Sequence, residues 1–410
     1  MTVYPVVATD TVSADALTTD AAAASPAVAA DAGGVSVSAF DGSRVRVVLM
    51  LDIHDGKQQE FLNAYDGICD RVAAVQGHVS DQLCQAVDNP TKWLLTSEWE
   101  SAEPFLAWVN SEDHLDTVEP LQDYVRDTHS LRYSVLRETS GERSASVAAG
   151  EPLNAAARIG NNVVRHALTF TVRSGSEDEV TRLLAGYAAP DARVDESGRL
   201  LRTSVFLHGN RVVRAVEVQG DLQHALRHVA RQPAVRAVEE ALNPYLEQER
   251  DLRDPRDARR FFTRAAMPAV HHASSVDTDG AGFRRVALLY PARPGAGPEL
   301  ARLLARQDAA ALHTPGNPVR SATVFHRDDL VMRLVDVEGD PERAPAFVLG
   351  LHGSADAAGG SQAAGVAVAE RLLDTAAAGV DGLLTEERIL VQLLARARMT
   401  LVTDRRSPAP

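Results

Sequence analysis

The fold is decided by two stretches of this 410-residue chain, S-V-F-L-H-G-N-R-V-V-R-A-V-E-V-Q-G-D at 204–221 and T-V-F-H-R-D-D-L-V-M-R-L-V-D-V-E-G-D at 323–340. Matched residues lie 119 positions apart throughout, as Glu217 and Asp336 do. Each stretch has two apolar runs around a turn, His208-Gly209-Asn210 in the first, which predicts a β-hairpin. The constant separation indicates an internal repeat. Chance likeness between amphipathic segments is the alternative explanation.

The repeat extends toward the N-terminus, because the same separation leads from Glu217 back to Glu98 in a predicted strand at 92–100. Around each hairpin the pattern predicts strand, helix, two strands, helix and strand, which is the ferredoxin-like order. We therefore predict an α+β protein of three tandem ferredoxin-like units of the dimeric α/β-barrel type. Their predicted bounds are 44–138, 158–275 and 283–405.

The sequence also predicts the last strands of units 2 and 3 and the segments that connect the units. In the second unit, a polar stretch at 254–260 precedes a fourth strand predicted at 266–273, and the last strand of the third unit is predicted at 399–402. A disordered leader, two linkers and a mobile loop are predicted at 1–43, 139–157, 274–282 and 353–364.

The third strand of the second unit is apolar on both faces, with Val213 and Ala215 on one and Val216 and Val218 on the other. A sheet of this kind is covered on both sides, by its own helices and by a second sheet. Two units can therefore pair within the chain. The odd unit is left to pair across a homodimer.

Composition excludes several classes of function. A net charge of −14 argues against a nucleic-acid or anionic-lipid partner, since phosphate binding needs a basic surface. No apolar run approaches the length of a membrane helix, so no membrane association is expected. Two cysteines, Cys69 and Cys84, have no disulfide or zinc spacing, and the leader lacks the features of a secretory signal. A reduced, cytoplasmic setting is expected.

A tryptophan-rich motif carries a resemblance in the first unit. The pattern W-E-S-x-E-x-F-x-x-W-x-x-S-x-x-H runs from Trp99 to His114. It resembles the antibiotic biosynthesis monooxygenase superfamily, over about 45–138. The second unit resembles the SchA/CurD-like domains encoded with aromatic polyketide and spore-pigment synthases, through N-P-Y-L at 243–246 and F-F-T-R-A-A-M-P at 261–268. The third unit resembles them more weakly.

These resemblances imply tailoring of an aromatic polyketide. Members of the monooxygenase superfamily oxidise anthrones and related phenols to quinones with molecular oxygen as co-substrate and with no flavin, haem or metal. A deprotonated phenol is itself a good electron donor, so the protein has to hold the phenolate, exclude water and move protons. Partners implied are the polyketide substrate and components of the synthase or cyclase.

The first unit departs from the superfamily's anthrone oxidisers. Leu95 and Phe105 replace an asparagine and a tyrosine, and Cys84 aligns with their histidine, so that Trp99 alone carries over. The haem-degrading relatives share the tryptophan at Trp108, but their haem-binding histidine aligns near Val118.

Candidate site residues in the first unit follow from this motif. Trp99 is expected in a pocket wall and His114 in proton transfer, because an unperturbed imidazole titrates near neutral pH. Trp108, Phe105 and Tyr65 are expected to contact substrate. The alternatives are core packing for the aromatic residues and helix capping around His114.

Candidates in the other units are arginines and a histidine. Arg214 and Arg333 occupy matching strand positions, where a guanidinium could stabilise a phenolate or enolate. A carboxylate partner at a sheet edge is the alternative for both. Glu217 and Asp336 face the other way and are expected to form ion pairs between the sheets. His271 and His272 point to opposite faces, and His271 could act as a base in a pocket with His166 or His208.

The sequence and its resemblances lead to the hypothesis of a cofactor-independent oxygenase acting on an aromatic polyketide. No zinc, dinucleotide or nucleophile-elbow motif is present in the sequence. Two other functions stay open: a polyketide cyclase, in which Arg214 would bind an oxyanion, and a non-catalytic organiser of the synthase.

Overall fold

The structure of the chain is a computed structural model that describes residues 35–137, 162–194, 198–275, 282–311, 314–352 and 362–407. Most of the predicted leader, the first linker, the centre of the second linker and most of the predicted loop therefore lie outside the described residues. Among the described helices, none is long and apolar enough to cross a membrane.

Unit 1 is a ferredoxin-like sheet with helices on one face. A short strand, β1 (Val35–Ser38), precedes it, and its four strands run antiparallel in the order β3-β4-β2-β5. Its elements are β2 (Val45–Ile53), α1 (Gln58–Asp66), α2 (Cys69–Ala73), β3 (His78–Gln85), β4 (Lys92–Trp99), α3 (Ala102–Val109), α4 (Glu112–Val118) and β5 (Val125–Ser134).

Units 2 and 3 share one larger sheet. Unit 2 consists of β6 (Val163–Thr171), α5 (Glu177–Gly186), β7 (Arg199–His208), β8 (Arg211–Gln219), α6 (Leu222–Arg231), α7 (Pro233–Leu242), α8 (Pro255–Ala265) and β9 (Ala266–Ser274). Unit 3 consists of β10 (Phe283–Tyr290), α9 (Gly297–Ala311), β11 (Val319–Arg327), β12 (Leu330–Glu338), α10 (Pro345–Val348), α11 (Gln362–Leu372), α12 (Glu387–Ala397) and β13 (Thr400–Arg406).

The fourth strands of units 2 and 3 are exchanged. β13 of unit 3 pairs with β7 of unit 2, and β9 pairs with β6 through its first three residues and with β11 of unit 3 thereafter. In the described chain eight strands run β10-β12-β11-β9-β6-β8-β7-β13. The backbone N–H of Met399 then donates to the carbonyl of Ala287 at 2.9 Å, which closes the strands into a barrel. The expected pairing of two sheets within the chain thus takes the form of one continuous sheet.

Helix α8 corrects the prediction of a polar stretch at 254–260. The side chain of Asp254 accepts a hydrogen bond from the N–H of Arg256, and Pro255 follows at the first helical position. Ala258, Phe261 and Ala265 form its buried face at helical spacing. The many charges of this helix hid a short amphipathic pattern.

The barrel interior has an apolar layer and a charged layer. Buried side chains from seven of the strands fill the apolar layer, among them Ala167, Phe206, Val213, Met267, Phe325 and Met332. In the charged layer, Arg285 donates to Glu217 at 2.7 Å and to Asp336 at 2.8 Å, while Arg202 donates to Asp336 at 3.1 Å. The predicted ion pairs of Glu217 and Asp336 between the units are therefore confirmed.

Unit 1 docks on the barrel through its acidic helices. Glu112 accepts a hydrogen bond from Arg264 of α8 at 2.7 Å, and Glu103 accepts one from Arg302 of α9. The strand β1, which lies within the predicted leader, pairs antiparallel with β9. Residues 35–38 are thereby tied to the barrel, so the prediction of disorder is wrong for this part of the leader.

Candidate functional site

A cavity of about 270 Å³ lies in unit 2, between the outer face of the sheet and helices α6 and α7. Alternation along β8 places Val213 and Ala215 toward the barrel interior and turns Arg214 toward the helices. The walls are mostly apolar, with contributions that include Leu168, Val205, Leu226, Val229, Val235 and Phe262. A concave, largely apolar site with a few polar groups is typical of small-molecule binding.

The polar end of this cavity is a buried clamp of two arginines on one carboxylate. Arg214 forms an ion pair with Glu239 of α7, and Nη2 of Arg250 donates to the other carboxylate oxygen at 2.7 Å. Burial opposes ionisation of Glu239, but the two guanidinium groups outweigh it and hold the pKa of this carboxyl below its usual value. The guanidinium of Arg214 also lies 5.4 Å from the ring centre of Phe170. The clamp is thus charged at neutral pH.

In unit 3, the matching Arg333 is enclosed by protein acceptors. Its Nε donates to Asp308 of α9 at 3.0 Å, and its Nη1 donates to the carbonyls of Phe347 and Val348. The arginine is 1% exposed. At Gly350, where φ is +64°, an added Cβ would lie 3.2 Å from Nε of Arg333, so the absence of a side chain there makes room for the guanidinium.

Four of the five candidates of unit 1, all except Tyr65, converge on one packed cluster. The ring centres of Trp99 and Phe105 lie 5.7 Å apart, and those of Trp108 and His114 lie 5.3 Å apart. Trp99 is 1% exposed, and its Nε1 donates to Ser97 at 2.8 Å. These contacts describe a filled core behind the sheet.

Burial shifts the pKa values of two titratable side chains of unit 1. Burial lowers the pKa of His114 to about 4, so its imidazole is neutral at pH 7. Ser111 caps helix α4 by accepting from the backbone N–H of His114 at 3.1 Å. Burial, together with the charge of Asp81, raises the pKa of Tyr65 to about 12. Tyr65 lies on α1, whereas the tryptophans lie on β4 and α3.

His271 and His272 point to opposite faces of β9, as predicted. His272 lies 2.9 Å from the hydroxyl of Thr323 in the barrel, and burial, together with nearby charges, holds its pKa well below the usual value. His271 is 3% exposed, and the charges that act on it are Asp308 and Arg333. The predicted pocket of His271 with His166 or His208 is not formed, because Nε2 of His208 lies 2.8 Å from the Arg396 carbonyl and the charge that acts on His166 is that of Arg132 in unit 1.

Comparison with known proteins shows which families the chain matches. Residues 163–275 match the SchA/CurD like domain, and residues 44–120 match the antibiotic biosynthesis monooxygenase family. The chain is 72% identical, over 408 residues and 99% of both chains, to a 42.8 kDa protein in the whiE locus of Streptomyces coelicolor. The chain belongs to the SchA/CurD family.

Two further relatives are similar to this chain over most of its length. Protein SchA of Streptomyces halstedii is 62% identical, with 92% of this chain and 96% of SchA covered. The polyketide synthase CurD of Streptomyces cyaneus is 58% identical, with 92% and 98% covered. Among solved structures, SnoaB of Streptomyces nogalater, a cofactor-independent oxygenase, is 18% identical over 24% of this chain and 99% of its own, with a TM-score of 0.23. Both family resemblances expected from sequence are confirmed.

The SchA/CurD motifs meet at an arginine that the sequence did not single out. Nε of Arg250 donates to Asn243 of the N-P-Y-L motif at 2.8 Å, and its guanidinium lies 4.5 Å from the ring centre of Phe261 in the F-F-T-R motif. Glu239 was also missed. Its signal was a carboxylate within the apolar face that Val235, Val238 and Leu242 form on α7.

The donor set of the cavity suits an organic anion. Arg214, Arg236 and Arg253 line it against Glu239 and Glu240, and their guanidinium groups can donate charge-assisted hydrogen bonds to a phenolate or enolate. Within the described residues, no group of three or more His, Cys, Asp or Glu is arranged to hold a metal ion.

Proposed function

We propose that this SchA/CurD protein is a cofactor-independent oxygenase that tailors an aromatic polyketide in the cavity of unit 2. The observation that carries the proposal is the apolar cavity of about 270 Å³ with Arg214 at its polar end. The match of 44–120 to the antibiotic biosynthesis monooxygenase family and the names of the polyketide-synthase relatives support the substrate class.

In this proposal, Arg214 activates the substrate by stabilising its anion. A guanidinium beside a phenol hydroxyl lowers the pKa of the phenol, so that near neutral pH its proton can pass to solvent water before the substrate is fully enclosed. Because the pKa of Glu239 is held low, this carboxylate is a poor base and serves to orient Arg214. The phenolate then gives one electron to molecular oxygen, and the radical pair combines to a peroxide.

The atoms balance without a further reductant. For an anthrone, the methylene carbon loses two hydrogens and gains one oxygen atom, while the second oxygen atom leaves with both hydrogens as water. The apolar walls exclude bulk water from the radical pair and the peroxide. Trp99 and His114 have no direct part in this scheme, since they pack in the core of unit 1.

Cyclisation is the second candidate function, because the relative CurD is named a polyketide synthase. The same Arg214 would then stabilise an enolate while the cavity folds a poly-β-ketone chain. Oxygen dependence separates the two functions. Protein stripped of metals is incubated in air with 1,8-dihydroxyanthrone, and oxygen uptake and quinone absorbance are followed against the spontaneous rate. Acceleration without added cofactor supports the oxygenase, whereas a product formed only with the synthase under strict anaerobiosis supports the cyclase.

A further inference from the structure

A second cavity, of about 320 Å³, adjoins the first on its outer side. Pro190 and Thr203 line both cavities, so these two side chains stand between them. The outer cavity is completed by the end of β13, the strand that unit 3 contributes to unit 2, through Arg405, Arg406 and Ser407.

The boundary between the cavities is held by a contact between units. Arg405 donates to the carbonyl of Tyr187 at 2.7 Å, and its guanidinium lies 4.5 Å from the ring centre of that tyrosine. Tyr187 in turn lines the inner cavity. The strand exchange therefore places an arginine of unit 3 at the mouth of the unit 2 site.

The outer cavity favours an anion. Its charged lining residues are Arg405, Arg406 and Asp191. The carboxylate of Asp191 accepts a hydrogen bond from the backbone N–H of Arg193 at 3.1 Å, and Nη1 of Arg405 has no hydrogen-bond partner among the described residues. The lining thus has two guanidinium groups against one carboxylate, with the charge of Arg406 shared with Asp336 of the barrel, and this leaves a positive mouth beside Arg405.

We propose that the two cavities together bind an amphipathic aromatic compound, with its fused rings in the inner chamber and an anionic group against Arg405 and Arg406. This inference rests on the proposed function and narrows its substrate class to aromatic polyketides that carry a negative charge. The charge has two chemical sources: a carboxylate of the free acid, or the phosphate of a pantetheine arm to which the rings are joined as a thioester.

Binding of unreactive quinones tests the inference independently of turnover. Calorimetric titration compares 1,8-dihydroxyanthraquinone with the same quinone bearing a 3-carboxylate, and a third arm uses a naphthoyl thioester of pantetheine 4′-phosphate against the neutral pantetheine thioester. We expect the charged member of at least one pair to bind about tenfold more tightly, and Arg406→Gln to abolish that preference. The exposed Arg293→Gln is the matched control, because it removes a guanidinium away from the mouth.

Arg405→Lys keeps the charge but loses the planar guanidinium that contacts Tyr187. We expect it to lower the affinity for the charged ligand more than the affinity for the neutral one. A preference confined to the carboxylate identifies the free acid, and one confined to the phosphate identifies the carrier arm. Equal affinity within both pairs, or an undiminished preference in Arg406→Gln, would overturn the inference. Charge-dependent binding without accelerated oxygen uptake would instead reject the proposed oxygenase alone.

Discussion

Units 2 and 3 place the same arginine on the same strand and use it in opposite ways. Arg214 receives its carboxylate from Glu239 on α7, after the hairpin, and lines a cavity. Arg333 receives its carboxylate from Asp308 on α9, before the hairpin, and its remaining donors reach the backbone of α10. The two arginines therefore share their strand position. The helix that supplies the partner carboxylate determines whether the arginine lines a cavity or is enclosed in the core.

The neighbouring helices explain the contrast. In unit 3, side chains of α9, α11 and α12 form one continuous apolar core around Arg333, with Leu300, Leu304, Ala369, Leu390 and Leu393 among its members. In unit 2, α6 and α7 stand off the sheet and leave the chamber between them. The comparison predicts that Arg333 supports stability and Arg214 supports activity.

The largest effect is expected for Arg333→Ala. This substitution leaves the Asp308 carboxylate, whose side chain is 1% exposed, buried without its cation, and we expect the free energy of unfolding to fall by about 3–5 kcal/mol. Urea denaturation followed by circular dichroism measures it. The double variant Arg333→Ala/Asp308→Ala should recover part of the loss. An unchanged free energy of unfolding in Arg333→Ala would contradict the structural role assigned to this arginine.

Arg214→Gln should act on catalysis. Loss of one charge-stabilising donor is expected to reduce the rate of oxygen uptake with 1,8-dihydroxyanthrone about 100-fold. Stability should fall less than in Arg333→Ala, because Arg250 still holds Glu239. Arg182→Gln, at an exposed site on α5 of the same unit, is the control and should retain full activity. Unchanged turnover in Arg214→Gln would remove this arginine from the site.

The clamp should also impose a pH dependence on stability. The pKa of Glu239 is lowered from 4.5 in the folded chain, so its ionised form stabilises the fold above pH 4.5. That contribution disappears as the pH falls through the lower folded value and the carboxyl becomes protonated. We expect the stability difference between the native protein and Glu239→Gln to be greatest near neutral pH and to shrink in acid. If this stability difference grew in acid instead, the ionised carboxylate of Glu239 would destabilise the fold, contrary to the prediction.

A smaller effect is expected at the sheet of unit 1, which has no pairing unit in the described chain. On its helix-free face, Met50 is 43% exposed and Tyr133 is 51% exposed. If this face pairs with a second copy, light scattering will give twice the chain mass of 44.0 kDa. Met50→Glu should weaken that dimer at least tenfold, whereas Val87→Glu in the β3–β4 turn should not. A monomer at all concentrations would leave unit 1 unpaired.

The local pattern of the sequence was sufficient for the hairpins and for the orientation of their side chains. Alternation along β8 and β12 put Glu217 and Asp336 on the face opposite Arg214 and Arg333, where the structure has them. The exchange of β9 and β13 was beyond such reasoning, because each of these strands pairs with a strand of the other unit, far along the chain. Arg250 was missed for a different reason: its partners Glu239, Asn243 and Phe261 are near in sequence, but they surround the guanidinium only once α7 and α8 pack together.

The exchanged strands also bear on how the two halves have been able to diverge. In a dimer of identical chains, every substitution appears in both halves at once, so a change that fills one pocket fills the other. Here each half has its own sequence within one chain. The two halves still depend on each other, because β7 of unit 2 would lose its edge partner without the last strand of unit 3. Fusion thus allows one half to become a rigid scaffold while its twin keeps an open chamber, and the scaffold's C-terminal strand still forms part of the chamber's mouth.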